Sequence, residues 1–294
     1  MSTTLLDELA ERTRTIADQA SDAVVGIGAD SRGTGFVIAA DRVVTNAHHL
    51  RDRTTSVRFA DGHVAQGNVV GADADGDLVV LEVPTGEITP LTWSTTDPRV
   101  GDVVFAIARD HASASITSGQ VSSIARGFRG PRGRRIQGGV EHTAPLRRGS
   151  SGGPLLALDG TVVGVNTHRL DAGFYLARGG SETLQQLLGR LAGGETVRRP
   201  QLGVAVAPPQ VTRKLRRSVG LPEVDGLLVR HVDDDSPAAR AGVLVGDVLV
   251  RSGDTVLDAP EVLLEVIAGA VETLALHVVR GVDELDVTVV LSQQ

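Results

Sequence analysis

Short apolar runs separated by Gly, Asp and Ser turns fill the first two thirds of this chain. The runs at 78–81, 103–107 and 162–165 are rich in Val, Leu and Ile and have the length of single strands. No helical pattern alternates with them, which argues against a doubly wound α/β hydrolase. The pattern predicts a mainly β domain, built as a barrel or a sandwich.

Two helices are predicted at the ends of this β region. Apolar residues at positions 5, 9, 16 and 20 lie near helical spacing, and Thr4 and Asp7 have the spacing of a capping box. A second helix is expected to begin after Ser181 and to end at Gly193, with its apolar residues at 184, 187, 188 and 191. We therefore predict four parts: an N-terminal helical segment (1–20), a β domain (21–192), a linker (193–200) and a second domain (201–294).

The second domain mixes strands with two predicted helices. Ser236 caps a short helix that has Pro237 at its first position and ends at Gly242. Asp258 and Glu261 have the spacing of another capping box, which would open a helix running to about residue 268. Residues 246–250 lie between the two helices and read as a strand, so a small α+β domain is expected.

Candidate chemistry begins at a turn of small residues, 149–154, where Ser151 stands between glycines. A nucleophilic serine needs such an unhindered turn, with backbone N–H groups that point at the developing oxyanion. Upstream, one strand runs into His48 and an acidic loop carries Asp77. Each residue alone has an ordinary structural explanation, but the order His, Asp, Ser is that of the chymotrypsin-type triad.

At these motifs the chain resembles the HtrA (DegP-type) serine proteases, over roughly residues 20–180. The blocks that carry the resemblance are Thr45-Asn46-Ala47-His48, Gly76-Asp77-Leu78 and Gly149-Ser150-Ser151-Gly152-Gly153-Pro154. The resemblance implies a chymotrypsin-like double β-barrel. It assigns the base to His48 rather than His49, the carboxylate to Asp77 rather than Asp75, and the nucleophile to Ser151 rather than Ser150.

The resemblance also implies an oxyanion hole and a specificity pocket. The backbone N–H groups of Gly149 and Ser151 would form the hole. Leu146 and the strand residues Val165, Asn166 and Thr167 would wall the pocket; they include no acid, so small or medium aliphatic residues are the expected substrate side chains. The family usually has Asn at position 150 and Asn-Pro at 147–148, where this chain has Ser and two arginines, and that difference concerns activation.

The C-terminal third resembles a PDZ domain of the bacterial protease type. Its most specific block is 235–243 with Gly246-Asp247. Such a domain binds an extended peptide as an added strand and captures its terminal carboxylate on backbone N–H groups. The resemblance places the peptide-binding residues at Leu202, Gly203, Val204, Leu263, Leu264 and Ile267. A passive packing module is the alternative reading.

Composition excludes several other classes. The chain has 294 residues, 41% hydrophobic content, no cysteine and a net charge of -7. Disulfides and thiolate metal sites are thereby excluded, the scattered histidines lack metal-ligand spacing, and nucleic-acid binding is not expected as the main activity. No run approaches the roughly 18 apolar residues of a membrane span. No cofactor or metal is expected.

Location and assembly are predicted from the N-terminal part of the chain. The first 30 residues lack the pattern of a signal peptide, so a cytoplasmic location is expected, or an exported one if a targeting segment is missing from this chain. Family members usually form trimers through N-terminal aromatic residues. The first aromatic here is Phe36, so a homotrimer is expected without that contact, against a monomer or another small oligomer.

Two alternatives stay open. Arginines crowd residues 126–148, either as a solvated loop or as a regulatory loop that meets the acidic second domain or an anionic partner. The expected function is hydrolysis of polypeptides, unfolded or damaged ones in this family, by a serine endopeptidase whose PDZ domain binds peptide C-termini. The alternative function is a catalytically silent peptide-binding sensor or chaperone.

Overall fold

The computed structural model describes residues 4–29, 32–110, 113–129, 135–171, 173–197 and 200–291. Arg132 and Arg134 of the arginine-rich stretch, and positions 198–199 of the predicted linker, lie outside these residues. The chain divides into two compact units, Met1–Val197 and Arg198–Gln294. No helix within the described residues is long and apolar enough to cross a membrane.

The first unit contains two closed six-stranded barrels, which confirms the predicted mainly β, chymotrypsin-like fold. The first barrel has the strand order β1-β2-β3-β6-β5-β4. Its strands are β1 (Val24–Ile27), β2 (Gly33–Ala39), β3 (Arg42–Thr45), β4 (Thr54–Arg58), β5 (Val64–Asp73) and β6 (Leu78–Glu82). All its pairings are antiparallel, as expected for short strands joined by tight turns.

The second barrel repeats this plan with the strand order β10-β11-β12-β9-β8-β7. Its strands are β7 (Val103–Arg109), β8 (Ala114–Arg129), β9 (Arg135–His142), β10 (Pro154–Ala157), β11 (Val162–Asp171) and β12 (Phe174–Gly179). A core of Val, Leu and Ile with few aromatics fills the unit. Trp93, the single tryptophan, packs there on Phe36 with 5.9 Å between ring centroids.

Each of the two helices described in this unit makes hydrogen bonds to the barrel that is farther from it in sequence. Helix α1 (Leu5–Ser21) precedes the first barrel, yet Arg12 Nε donates to the Leu158 carbonyl of the second. Arg109 of β7 likewise donates to the Ser21 carbonyl at the end of α1. Helix α2 (Glu182–Ala192) follows the second barrel, yet Arg42 of β3 donates to the Ala192 carbonyl.

Both helices form as their sequence patterns predict. Thr4 and Asp7 make the reciprocal bonds of a capping box, and Ser181 accepts from the Leu184 N–H. The four predicted apolar positions of α2 are all buried. In α1, Ile16 and Ala20 are buried while Leu9 is exposed, so the last two turns of α1 contribute apolar side chains to the core.

The second unit is a small α+β fold with its own core. Its sheet has the order β13-β14-β15-β17-β18, and β16 pairs with β15. The strands are β13 (Val204–Ala207), β14 (Leu227–Val232), β15 (Val248–Ser252), β16 (Thr255–Val256), β17 (Thr273–Arg280) and β18 (Asp283–Val290). The helices are α3 (Pro209–Ser218), α4 (Pro237–Arg240) and α5 (Pro260–Gly269).

Two sequence predictions for this unit were wrong. Residues 200–291 contain three helices rather than two, because α3 forms from a stretch in which Thr212 and Arg216 supply part of the buried face. The capping box predicted at Asp258 also fails. Helix α5 begins at Pro260, so Ala259 takes the N-cap position and makes no side-chain cap bond.

Candidate active site

His48 and Asp77 meet at one end of the first barrel. His48 lies in a single 3₁₀ turn, Ala47–His49, which begins one residue after the end of β3, and Asp77 directly precedes β6. Strands β3 and β6 pair antiparallel, with Thr45 opposite Val79. The pairing therefore brings the turn that follows β3 close to the residue that precedes β6.

The carboxylate fixes the imidazole from two sides. His48 Nδ1 lies 2.7 Å from Asp77 Oδ2, and the His48 backbone N–H donates to Oδ1 over 3.0 Å. A carboxylate accepts only, so the proton of a neutral His48 stands on Nδ1 and Nε2 carries a lone pair. The Asp77 side chain is 2% exposed and that of His48 is 35% exposed, so the pair presents only its imidazole to solvent.

The backbone at Asp77 is itself unusual. Its φ is +56°, in the left-handed region that Asp and Asn tolerate better than other side chains. The preceding turn is held by Asp73, whose Oδ1 accepts from the Gly76 N–H, and by Arg178, which donates to the Gly76 carbonyl. Asp75 lies in this turn, partly exposed, while Asp77 is buried.

Ser151 belongs to the second barrel and sits on the turn that leads into β10. The Ser150 N–H donates to the Arg147 carbonyl over 3.1 Å, and Gly149, the third residue of that turn, has a φ of +86°. These are features of a type II turn, which needs a positive φ at its third residue. Glycine at 149 thus fixes the orientation of the peptide unit that precedes it.

Contacts across the two barrels assemble the three side chains. Ser151 Oγ donates to the Thr167 carbonyl over 2.8 Å, and Thr167 Oγ1 donates to Asp77 Oδ2 over 3.4 Å. Thr34 of β2 binds the serine turn from the first barrel, because its N–H donates to the Ser151 carbonyl over 2.9 Å. Thr34 and Thr167 were not assigned these contacts from sequence.

The residues predicted to wall a specificity pocket belong to β11 and to the segment that precedes the serine turn. Leu146 packs among apolar side chains of the second barrel, and Val165 is wholly buried in the main core. Asn166 is buried as well; its Nδ2 donates to the Pro154 carbonyl over 3.0 Å, which leaves Oδ1 to accept from His142 Nε2 over 3.1 Å. Burial lowers the pKa of His142 to about 4.

The predicted peptide-binding residues of the second unit fall into two groups. Leu202, Leu263 and Ile267 are buried in its core, and Val204 of the edge strand β13 packs against the same cluster. Leu264 is 39% exposed and Gly203 has a φ of +75°. Leu263 and Ile267, four positions apart, therefore form the inward face of α5, and Leu264 lies off that face.

The arginine-rich stretch is only partly described. Arg126 forms an ion pair with the buried Glu141, whereas Arg147 and Arg148 are exposed on the turn before Ser151. Within the described residues no group of His, Cys, Asp and Glu side chains has the arrangement of a metal site.

Comparisons with known proteins agree with this architecture. A family model for the trypsin-like peptidase domain matches residues 33–165. The chain is 34% identical over 284 residues to the "Probable periplasmic serine endoprotease DegP-like" of Brucella suis biovar 1 (strain 1330), covering 88% of this chain and 52% of the relative. It is 33% identical over 275 residues to "Serine protease HTRA2, mitochondrial" of Bos taurus, covering 87% and 59%.

Among solved structures, "HtrA-type protease AlgW with decapeptide" matches 96% of this chain and 98% of its own, with a TM-score of 0.65 and 22% identity. The chain spans about half the length of the DegP-like relatives that it matches. These relatives are described as periplasmic, and they overturn the cytoplasmic location expected from sequence. That expectation was wrong because it rested on features of the first residues alone, which do not determine the compartment.

Proposed function

The chain belongs to the HtrA (DegP-type) family of serine proteases, and from the arrangement of its site we propose that it is a serine endopeptidase. The observation that carries the proposal is the buried Asp77 held on His48 Nδ1 at 2.7 Å, with Ser151 linked to the same carboxylate through Thr167. A base, an orienting acid and a hydroxyl on a glycine turn are the parts that acyl transfer needs.

The proposed reaction has two stages. His48 Nε2 takes the Ser151 Oγ proton while Oγ bonds to the scissile carbonyl carbon, and the same proton then passes to the leaving amine as the C–N bond breaks. In the second stage, water attacks the acyl carbon while His48 Nε2 takes its proton, and that proton returns to Ser151 Oγ as the bond between Oγ and the acyl carbon breaks. The N–H groups of Gly149 and Ser151 would stabilise the oxyanion. Asp77 holds the tautomer of His48 and stabilises its imidazolium, and no cofactor takes part.

Specificity would come from apolar surface. Leu146, with Asn166 and Thr167 of β11, is proposed to line the primary pocket, while the buried Val165 supports it from the core. None of these residues is acidic, so transfer of a small or medium aliphatic side chain favours binding there and a basic one gains no partner.

The second unit is proposed to be a PDZ domain that binds the C-termini of peptides. Strand β13 lies at the edge of its sheet, so an extended peptide can pair with it. The groove would lie between Val204 and the α5 residues Leu263 and Ile267, with Leu264 at its rim, and the Leu202–Gly203 loop would receive the carboxylate. The "decapeptide" and "tripeptide" in the descriptions of related structures support a peptide ligand.

Polypeptides, unfolded or damaged, are the proposed substrates, and the periplasmic relatives support an exported location. A homotrimer is the proposed assembly, formed without N-terminal aromatic residues.

One observation favours the alternative function, a catalytically silent sensor. The Ser151 hydroxyl donates to the Thr167 carbonyl, and a hydroxyl that donates there does not donate to the base.

A fluorophosphonate probe separates the two functions. It should label the parent chain and leave Ser151→Ala unlabelled, because only an activated serine attacks phosphorus. Ser150→Ala, one position away on the same turn, is the matched control and should keep its labelling. If the parent stays unlabelled with and without a bound peptide, the silent sensor is favoured.

A further inference from the structure

Beside the proposed base stands a second imidazole that the proposed reaction does not use. The ring of His49 meets that of His48 edge-on, with 4.2 Å between centroids. It also lies directly on the backbone of Gly33, where an added Cβ would come within 2.1 Å of His49 Nδ1. The His49 ring is therefore confined between the base and a position that admits only glycine.

The hydrogen bonds of Thr45 define which nitrogen of His49 carries the proton. Thr45 Oγ1 donates to the Thr34 carbonyl over 2.7 Å and lies 3.2 Å from His49 Nδ1. A hydroxyl has one proton, so toward His49 it accepts, and Nδ1 of His49 is the donor. Burial first, and then the charge of His48, lowers the pKa of His49 to about 4, so His49 is neutral at physiological pH.

The chain of bonds continues from Thr34 into the serine turn. Thr34 is completely buried, and its Oγ1 donates to the Gly149 carbonyl over 2.7 Å. Its N–H donates to the Ser151 carbonyl over 2.9 Å. One residue of the first barrel thus holds the carbonyls of both residues whose N–H groups would form the oxyanion hole.

We propose that His49, Thr45 and Thr34 form a positioning chain that sets the serine turn against the base. His49 holds the Thr45 hydroxyl, Thr45 holds the Thr34 carbonyl, and Thr34 holds the turn at Gly149 and Ser151. The His49 ring also limits rotation of the His48 ring. The inference rests on the proposed function. None of the three residues has a role in the proposed reaction, and Thr34 and Thr45 are fully buried, so loss of the positioning chain is expected to lower kcat and to leave KM nearly unchanged.

The test uses substitutions that keep shape and remove one donor. His49→Phe keeps a planar ring without the N–H, and Thr45→Val keeps the volume without the hydroxyl. Each should lower kcat and the rate of fluorophosphonate labelling about 10-fold, as expected for about 1.4 kcal/mol of lost positioning. The double variant should lose little more than either single one, because both break the same chain.

His49→Asn offers a rescue, since its amide N–H occupies the place of the imidazole Nδ1–H. It should restore kcat to within about 3-fold of the parent, whereas a general weakening of the fold would not respond to one returned donor. His63→Phe is the matched control, because His63 is exposed and stacks on Phe59 outside this site. Trp93 fluorescence during unfolding reports whether each variant is folded.

The outcomes separate this inference from the proposed function. Unchanged labelling of His49→Phe in a parent that is labelled overturns the positioning chain alone. It is also overturned if the kcat losses of His49→Phe and Thr45→Val multiply in the double variant, or if His49→Asn does not restore kcat. A parent that is never labelled overturns the proposed function, and the inference with it.

Discussion

Acid should destabilise the first unit through His142, and the structure gives the size of the effect. The side chain is wholly buried, its Nε2–H is fixed by Asn166, and its Nδ1 has no partner within the described residues. Protonation would bury a charge and a second donor without an acceptor. Burial accordingly lowers the pKa of His142 from 6.5 to about 4.

As the pH falls, His142 therefore takes up a proton at a higher pH in the unfolded chain than in the folded one. The contribution of neutral His142 to stability is complete above about pH 6.5 and is lost as the pH falls toward 4. Between about pH 7 and about pH 5 the linkage relation gives a loss of roughly 2 kcal/mol from His142 alone. His142→Gln keeps a donor for Asn166 but does not titrate, so it should remove this part of the pH dependence.

Urea unfolding followed by the fluorescence of Trp93 measures the effect, because the single tryptophan lies in the first unit. The stability difference between the two pH values should shrink by roughly 2 kcal/mol in His142→Gln. His63→Gln, a substitution of an exposed histidine in the same unit, should leave that difference unchanged. Equal pH dependence in the parent and His142→Gln would refute the reasoning.

Three further predictions concern activity. His48→Ala and Ser151→Ala should each lower kcat by at least about 10⁴-fold and Asp77→Asn by about 10⁴-fold, since base, nucleophile and orienting acid act as a unit. Asp75→Asn, measured with the same reporter peptide, should lower kcat far less. Profiling with a peptide library should give cleavage after Ala, Val, Leu or Ile, and a profile dominated by Lys or Arg would contradict the apolar pocket. A peptide with a free hydrophobic C-terminus should change the cleavage rate of an unrelated reporter peptide, and a chain without residues 201–294 should lose that response while its serine stays labelable.

The sequence predicted the elements whose determinants are local. The caps at Thr4 and Ser181 formed as expected because a hydroxyl and a nearby N–H are neighbours in any helix start. The cap at Asp258 did not form, since Pro260 fixes the first helical position two residues later. Helix α3 was missed because Arg216 is buried through bonds to the carbonyls of Pro222 and Gly281, which a hydrophobic pattern cannot express.

In the candidate site, too, the sequence indicates local features and not the contacts between distant parts of the chain. His48, Asp77 and Ser151 could be proposed from sequence because each stands in a motif at a strand boundary. The contacts of Thr34 and Thr167 depend on how two barrels meet, and no spacing within either strand indicates them. Asp77 is instructive in another way: its left-handed backbone makes Asn the substitution that removes the charge without adding strain.

The contacts of the two helices described in the first unit determine what happens when the chain is cut between the barrels. Helix α1 binds the second barrel and α2 binds the first. The contacts of both helices must therefore break before the two barrels can separate. A chain cut between the barrels would leave fragments that each lack part of the candidate active site. Such fragments would be silent apart and active together, which makes this unit a candidate for a split reporter of protein association.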